Sequence, residues 1–369
     1  MSAETSLAAV RAGVEVFRIY DVAQEIDLVA VESLLADHQP VARIRLARVA
    51  PKAIAFDDPP VVTDLLAPPL DVGGVRAPTR ASARIYGFGV VSLSMEVVLP
   101  AAMGWDEFER FAQDAERETA MLPFWRTALE ELLDALRPAL RSAVETRMEE
   151  DYCIVTVREL DPPLDAAALM ARVDLAQLLT QERRPLSDAT RRDVLRYSHS
   201  YYRDDLVILT WERAFVLEPS ADDDVADILE VANAQLLELR YYDALLDSEL
   251  PQIYRRVAEL RAPPAFLRGR YARAANQMRA HVAEVTLITE KVDNALKVTE
   301  DVYLARVYSS ALELFRVRFW AASINHKLSL IRDTYTALYD ESMATRAEWL
   351  EAAIVLLIVL EIVMAFVFT

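Results

Sequence analysis

Apolar and polar positions alternate along Val14 to Tyr20 and again along Ala42 to Val49, the period of a half-buried strand. Asp27 to Leu35, between them, has the spacing of a short helix. Ile85 to Leu99 reads as a strand interrupted by Gly87 and Gly89, and Asp151 to Glu159 reads as another. Leu206 to Leu217, rich in β-formers, gives one or two more. Trp105 to Met148 and Ser187 to Tyr197 are helical in pattern, with Pro123 and Pro138 marking breaks or restarts in the first. Asp57 to Arg80 holds five prolines and the Gly73-Gly74 pair and is expected to be a loop. Strands and helices mixed in this way predict an α+β domain over residues 1–221, a sandwich whose sheet is covered on one face.

At Asp222 the pattern changes. Asp222-Asp223-Asp224 supplies an N-cap and an acidic first turn that suits the helix dipole. Val225, Leu229, Ala232, Leu236 and Leu239 then step by four and three, and Leu246, Leu250, Ile253, Val257 and Leu260 continue the series past Asp243. This is a heptad seam that Pro251 is expected to kink. A second series runs through Val282, Val285, Val292 and Leu296. A third runs from Tyr303 and Val307 through Leu314, Val317, Ala321, Ile324, Leu328 and Ile331 to Tyr335 and Leu338. Beyond Gly269 the chain has neither glycine nor proline. One unbroken rod of that length would measure about 150 Å, so an antiparallel helical stalk over 222–344, turning near Asn294 to Asp301, is the expectation. Its seams could close within one chain or between chains.

Residues 345–369 read as a C-terminal transmembrane anchor. Ala352 to Phe368 is a run of 17 residues with one charge, Glu361, and twelve of them are Ile, Leu, Val or Phe. Seventeen is the short end of what spans a bilayer core. At roughly −0.3 to −0.6 kcal/mol each, the twelve contribute about −4 to −7 kcal/mol, which exceeds the roughly 3 kcal/mol that one central acid costs. Insertion is therefore favoured. Met1 to Arg18 lack a signal-peptide pattern. The expected topology is single-pass with the α+β domain cytosolic, in a bacterial inner membrane. Intramembrane acids face protein or water, so Glu361 implies contact with another copy of the chain.

Composition narrows the function. A net charge of −18 argues against wholesale nucleic-acid binding. The single cysteine, Cys153, excludes an intrachain disulfide or a thiolate zinc site, and its apolar setting makes it a buried small hydrophobe. Gly87-Phe88-Gly89 has no third glycine and no following helix, so it reads as a strand bend and not a phosphate loop. His38, His199, His281 and His326 lie far apart, without metal-ligand spacing. No serine sits in a nucleophile elbow. Glu149-Glu150 reads as a solvated helix surface. No enzyme, metal or cofactor is expected. One stretch runs against the acidic balance: Arg255, Arg256, Arg261, Arg268, Arg270, Arg273 and Arg279 face only one acid, Glu259. A hairpin turning near residue 300 brings Arg255, Arg256 and Arg261 beside Tyr339 to Thr345, just before the anchor. There they could touch anionic headgroups, hold an RNA backbone or simply be solvated.

Several helical stretches resemble a known family. They are Ile228 to Asp243 (ILEVANAQLLELRYYD), Val292 to Val298 (VDNALKV), Asp301 to Arg306 (DVYLAR) and Arg346 to Glu351 (RAEWLE) followed by Ile354 to Glu361. Polar residues recur inside apolar frames in them, notably Asn233, Gln235, Arg240, Asn294 and Lys297. The chain is similar here to the family of unknown biochemical function named after the "required for meiotic nuclear division" proteins of fungi and mitochondria. The likeness covers roughly Ile85 to the end and is dense in the last 150 residues. Glu300 stands where that family's pattern has a glycine, and Tyr197 to Asp205 departs from a serine-rich helical stretch. The resemblance implies a single-pass, C-terminally anchored, oligomeric protein, and by analogy with the mitochondrial member a role in supporting translation.

The function expected from these readings is a membrane-tethered, self-associating scaffold or adaptor that presents its α+β domain to a protein partner. The alternative is a subunit of an oligomeric cation channel or transporter, in which Glu361 side chains form an acidic ring.

Overall fold

The computed structural model describes residues 6–36, 41–43, 59–117, 121–143, 148–220, 222–260 and 302–334, with single positions at 336, 354, 355, 357 and 358. The chain divides into two compact units, Met1–Tyr241 with Lys291–Arg318, and Tyr242–Glu290 with Phe319–Thr369.

Alternation sets the first unit. β1 (Ala8–Asp21) is a 14-residue strand. After it come β2 (Ala23–Ile26), α1 (Leu28–Ala36) and β3 (Val41–Arg43). The stretch expected to be a loop instead holds β4 (Val61–Leu65), β5 (Leu70–Val72), β6 (Val75–Ala77) and the start of β7 (Thr79–Ile85). Its prolines flank short strands and do not interrupt them. Gly73 and Gly74, at φ +58° and +85°, make the two-residue turn between β5 and β6, and Asp71 Oδ1 accepts the Gly74 N–H at 2.9 Å. β8 (Val90–Val98) completes a hairpin with β7, so the chain reverses at Gly87 to Gly89 and does not bend within one strand. Gly89 sits at φ +101°, and a Cβ there would lie 1.7 Å from the Ala23 carbonyl oxygen, so no other residue fits that turn.

β9 (Met103–Gly104) leads into α2 (Trp105–Glu116) and α3 (Met121–Leu136). Pro123 lies in the first turn of α3, where a missing N–H costs nothing. Pro138 is the middle residue of a 3₁₀ turn at Arg137–Ala139, after which the chain is extended as β10 (Leu140–Ala143), so the helix expected to continue past Pro138 stops at Leu136. β11 (Glu149–Asp161) follows, then α4 (Ala166–Arg172), α5 (Leu175–Thr180) and α6 (Asp188–Val194). Side chains of Asp165, Asp174 and Ser187 cap the last three helices. β12 (Tyr197–His199), β13 (Leu206–Leu209) and β14 (Arg213–Leu217) close the domain.

One sheet runs in the order β12-β13-β14-β11-β1-β8-β7-β4-β3, with β9 also on β1. β1 is central, and its register with β11 and β8 sorts side chains by face: Glu15 lies beside Ile154 and Glu96, and Phe17 beside Tyr152 and Ser94. The opposite face presents Val14, Val16, Met95, Leu93 and Val155 to Trp105, Phe108, Phe111, Trp125 and Leu129 of α2 and α3 in one continuous core. Glu116, at the end of α2, takes both Arg213 Nε and Nη2 at 2.7 Å, which pins that layer to β14. Cys153 is 2% exposed, the buried hydrophobe expected.

The other face is covered too, which differs from a sheet covered on one side. α7 (Asp224–Leu260) and α8 (Val302–Leu314) contribute this layer. In α7 not only Leu229, Ala232, Leu236 and Leu239 but also Ile228, Val231, Ala234 and Leu237 are at most 2% exposed. A helix buried on every side is an interior helix, whereas a two-helix seam buries one stripe. Residues to Tyr241 and from 302 to 318 thus group with the sheet, not with an extended stalk. Phe315, just after α8, meets the Tyr152 ring edge-on at 5.7 Å.

In the second unit, Leu246, Ile324, Leu328 and Ile331 are buried. Lys327 Nζ bonds Asp243 and Asp247 at 2.7 Å each, and Ser323 donates to Asp243. No helix among the described residues is long and apolar enough to cross a membrane. The expected anchor lies outside the described residues except for Ile354, Val355, Leu357 and Ile358.

Candidate functional site

The sheet face under α7 carries polar residues where a core would be apolar. Glu15, Glu96, Ser92, Ser94, Ser82, Arg80 and Arg84 follow one another across β1, β8 and β7. α7 answers them with Asp227 and Glu230, three residues apart and so on one helix face. Arg84 Nη2 donates to Asp227 at 2.8 Å and Nη1 to Glu230 at 2.9 Å, and the Glu230 side chain is 3% exposed. Burial pushes the Glu230 carboxyl up, opposed first by the Arg84 guanidinium. The Ser92 and Tyr86 hydroxyls lie near enough to favour its ionised form, although neither makes a hydrogen bond of full geometry.

Beside this pair lies a cavity of about 230 Å³, walled by Glu15, Arg80, Arg84, Glu96 and Arg158. Gly13 keeps it open, because a Cβ there would come 2.9 Å from Glu96 Oε1. Among the described residues the Glu15 carboxyl makes no hydrogen bond. Burial first, then the Glu230 and Glu96 carboxylates, push its pKa up to about 8. Glu15 therefore holds its proton more tightly in the folded chain than a solvated glutamate does. Burial alone does the same to Asp21 at the far end of β1, to about 7. No group of three metal-type side chains is placed to hold an ion among the described residues. The cluster favours a proton on Glu15 and ties α7 to the sheet through Arg84.

The residues singled out from sequence fare unequally. Asn233 is buried and donates to the Leu229 carbonyl at 2.8 Å, within its own helix. Gln235 accepts the Tyr308 hydroxyl at 2.6 Å, which joins α7 to α8. Arg240 pairs with Glu150 of β11. Glu150 is thus a strand residue with a helix partner and not part of a solvated helix surface, since α7, not solvent, faces it. Gln235 and Arg240 hold α7 in place, and Asn233 satisfies its amide within the helix. Arg255 is exposed on α7 and Arg256 lies in the same helix. Arg261, Arg268, Arg270, Arg273, Arg279, Asn294, Lys297 and Glu361 lie outside the described residues. His199 meets Ser310 at 3.0 Å, and burial lowers its pKa.

Sequence reasoning passed over Glu15, Arg84, Asp227 and Glu230. The signal was present: Glu15 and Arg84 stand at inward positions of strands otherwise filled by Phe17, Ile19 and Tyr86. It also passed over a second, larger recess at the opening of α7, walled by Tyr201, Tyr202 and Tyr303.

Sheet and helices thus define an α+β domain closed by a helix that a buried charge cluster holds down. The chain belongs to the family of MJ0711-like proteins: the family model described as "Uncharacterized protein MJ0711, N-terminal domain" matches residues 12–224. The uncharacterized protein MJ0711 of Methanocaldococcus jannaschii is 26% identical over 239 residues, which cover 64% of this chain and 72% of that protein. No solved structure matches the chain. The comparisons show no link to the meiotic nuclear division proteins.

Proposed function

We propose that the protein is a membrane-tethered, self-associating adaptor that presents its α+β domain to a partner and catalyses no reaction. The observation that supports the tether is the exposure of Ile354, Val355, Leu357 and Ile358. They are helical, are each at least 50% exposed, and together cover about half of the helix circumference. A contiguous exposed apolar face of this kind marks contact with lipid or with another protein. The likeness of Ile228 to Asp243 and Val292 to Val298 to the meiotic nuclear division family belongs to this reading, and with it a place in supporting translation at a membrane. Glu361 then lies between copies of the chain.

A chain ending at Glu341 tests the tether. It should leave the membrane fraction in a carbonate wash while the full chain stays, and a truncated chain that still pellets rejects the anchor. Glu361→Leu should insert as well as the parent and change its oligomer in detergent. A strictly monomeric parent in several detergents rejects self-association. With the anchor removed, flotation on anionic vesicles that is salt-sensitive and lost when Arg255, Arg256 and Arg261 become Gln would assign that stretch to headgroups.

A further inference from the structure

The recess at the start of α7 encloses about 660 Å³, and its walls are of two kinds. Tyr201, Tyr202 and Tyr303 supply the aromatic ones. The Tyr201 and Tyr202 rings stand at 88° with centroids 4.7 Å apart, and Tyr303 meets Tyr201 at 5.6 Å and 56°. Rings set across one another form a corner, not a stack. Tyr201 and Tyr202 are also 64% and 68% exposed, so burial in the core does not account for them.

Carboxylates supply the other wall: Asp204, Glu218, Asp222 and Asp224 all line the recess, and among the described residues no basic side chain does. Among the described residues none of these four is in an ion pair. The local field is negative enough to show on Asp224. Burial first, then Asp222 and Asp227, push its pKa up to about 6.

The aromatic corner is held in advance. Asp205 is 5% exposed, and its Oδ1 accepts the backbone N–H groups of Tyr201 at 2.7 Å and Tyr202 at 3.1 Å, and the Ser200 hydroxyl at 2.9 Å. A buried carboxylate bonded in this way fixes the loop before any ligand arrives, which lowers the ordering cost of binding.

We infer that this recess is a binding site for an organic cation, an alkylated ammonium or a guanidinium, taken up against the tyrosine faces and neutralised by the unpaired carboxylates. Aromatic faces attract cations through their ring quadrupole, and weakly hydrated organic cations lose least water on entry. A hydrated metal ion would gain nothing from tyrosine faces. An anion would meet four carboxylates, and a neutral apolar guest would leave them unused. The inference goes beyond the adaptor reading and does not depend on the tether. If both hold, the partner brings the cation as a side chain.

The test uses the full chain in mild detergent and follows binding by calorimetry. The probes are choline, its uncharged carbon isostere 3,3-dimethylbutanol, and two short peptides carrying trimethyl-lysine or arginine. Choline or at least one peptide should bind saturably, and the isostere at least tenfold more weakly than choline. Uptake of choline alone assigns a free small molecule, and uptake of a peptide alone assigns a protein partner. Tyr201→Leu and Tyr303→Leu should each weaken binding roughly threefold to tenfold, while Tyr201→Phe keeps it, since the face and not the hydroxyl is used. Asp204→Asn, at an exposed carboxylate of the same wall, should weaken it with an unchanged melting profile. Equal binding of choline and its isostere, or no saturable binding of any cation below a Kd of roughly 10 mM, overturns the inference.

Discussion

Replacing Glu15 by Gln separates a proton held in the fold from an ordinary buried contact. Glutamine keeps the shape and removes the charge. The Glu15 pKa rises from 4.5 to about 8, through burial first and then Glu230 and Glu96. A carboxyl raised in the folded state binds its proton more tightly there than in the unfolded chain. Its contribution therefore becomes steadily less favourable as pH rises from about 4.5 to about 8, and is constant outside that window. Converted in full, a shift from 4.5 to 8 at about 1.4 kcal/mol per pH unit is about 5 kcal/mol. Glu15 is only half-buried and its cavity has room for several waters, so about 2 kcal/mol is the working expectation. Urea unfolding of wild type and Glu15→Gln at pH 5, 7 and 9, followed by the fluorescence of the buried Trp105 and Trp125, measures it. Wild type should lose stability towards pH 9. The variant should lose less, by about 2 kcal/mol between the end points, with the remaining slope left to Asp21 and Asp224. Parallel curves for the two proteins would refute the reasoning.

Three further outcomes follow from the same geometry. Arg84→Met leaves Asp227 and Glu230 unpaired beneath α7 and should cost about 3–5 kcal/mol in denaturant unfolding; a loss under 1 kcal/mol would mean that water replaces the guanidinium. Gly89→Ala places a methyl group against the Ala23 carbonyl at a positive φ, so the melting temperature should fall by an amount equivalent to roughly 3 kcal/mol, and an unchanged midpoint would show that the turn relaxes. Tyr308→Phe removes the bond to Gln235 and strands a buried amide, with an expected loss of about 1–3 kcal/mol; hydrogen exchange across residues 228–239 should rise with it, and unaltered exchange there would show that α8 does not hold α7.

Periodicity by itself determined much of the domain. The alternation of Val14 to Tyr20 and Asp151 to Glu159 and the helical spacing of Trp105 to Glu116 depend on near neighbours, and local side-chain direction is all that such patterns encode. The helical pattern that begins at Ser187 was equally local. Tertiary structure decided three things that spacing could not. Five prolines in Asp57 to Arg80 suggested a loop, yet strands form between them because β4 and β7 each find a partner and their prolines fall at strand ends. The heptad steps from Val225 to Leu239 fit a stalk as well as an interior helix. Only the burial of Ile228, Val231, Ala234 and Leu237 distinguishes them, and burial depends on which other surfaces arrive. The charge cluster and the tyrosine corner join residues more than a hundred positions apart, Glu15 with Glu230 and Tyr201 with Tyr303. A composition rich in acids gives no sign of which carboxylates will meet an arginine and which will line an open recess. The register of β1 against β8 and β11 and the seating of α7 on that face bring them together.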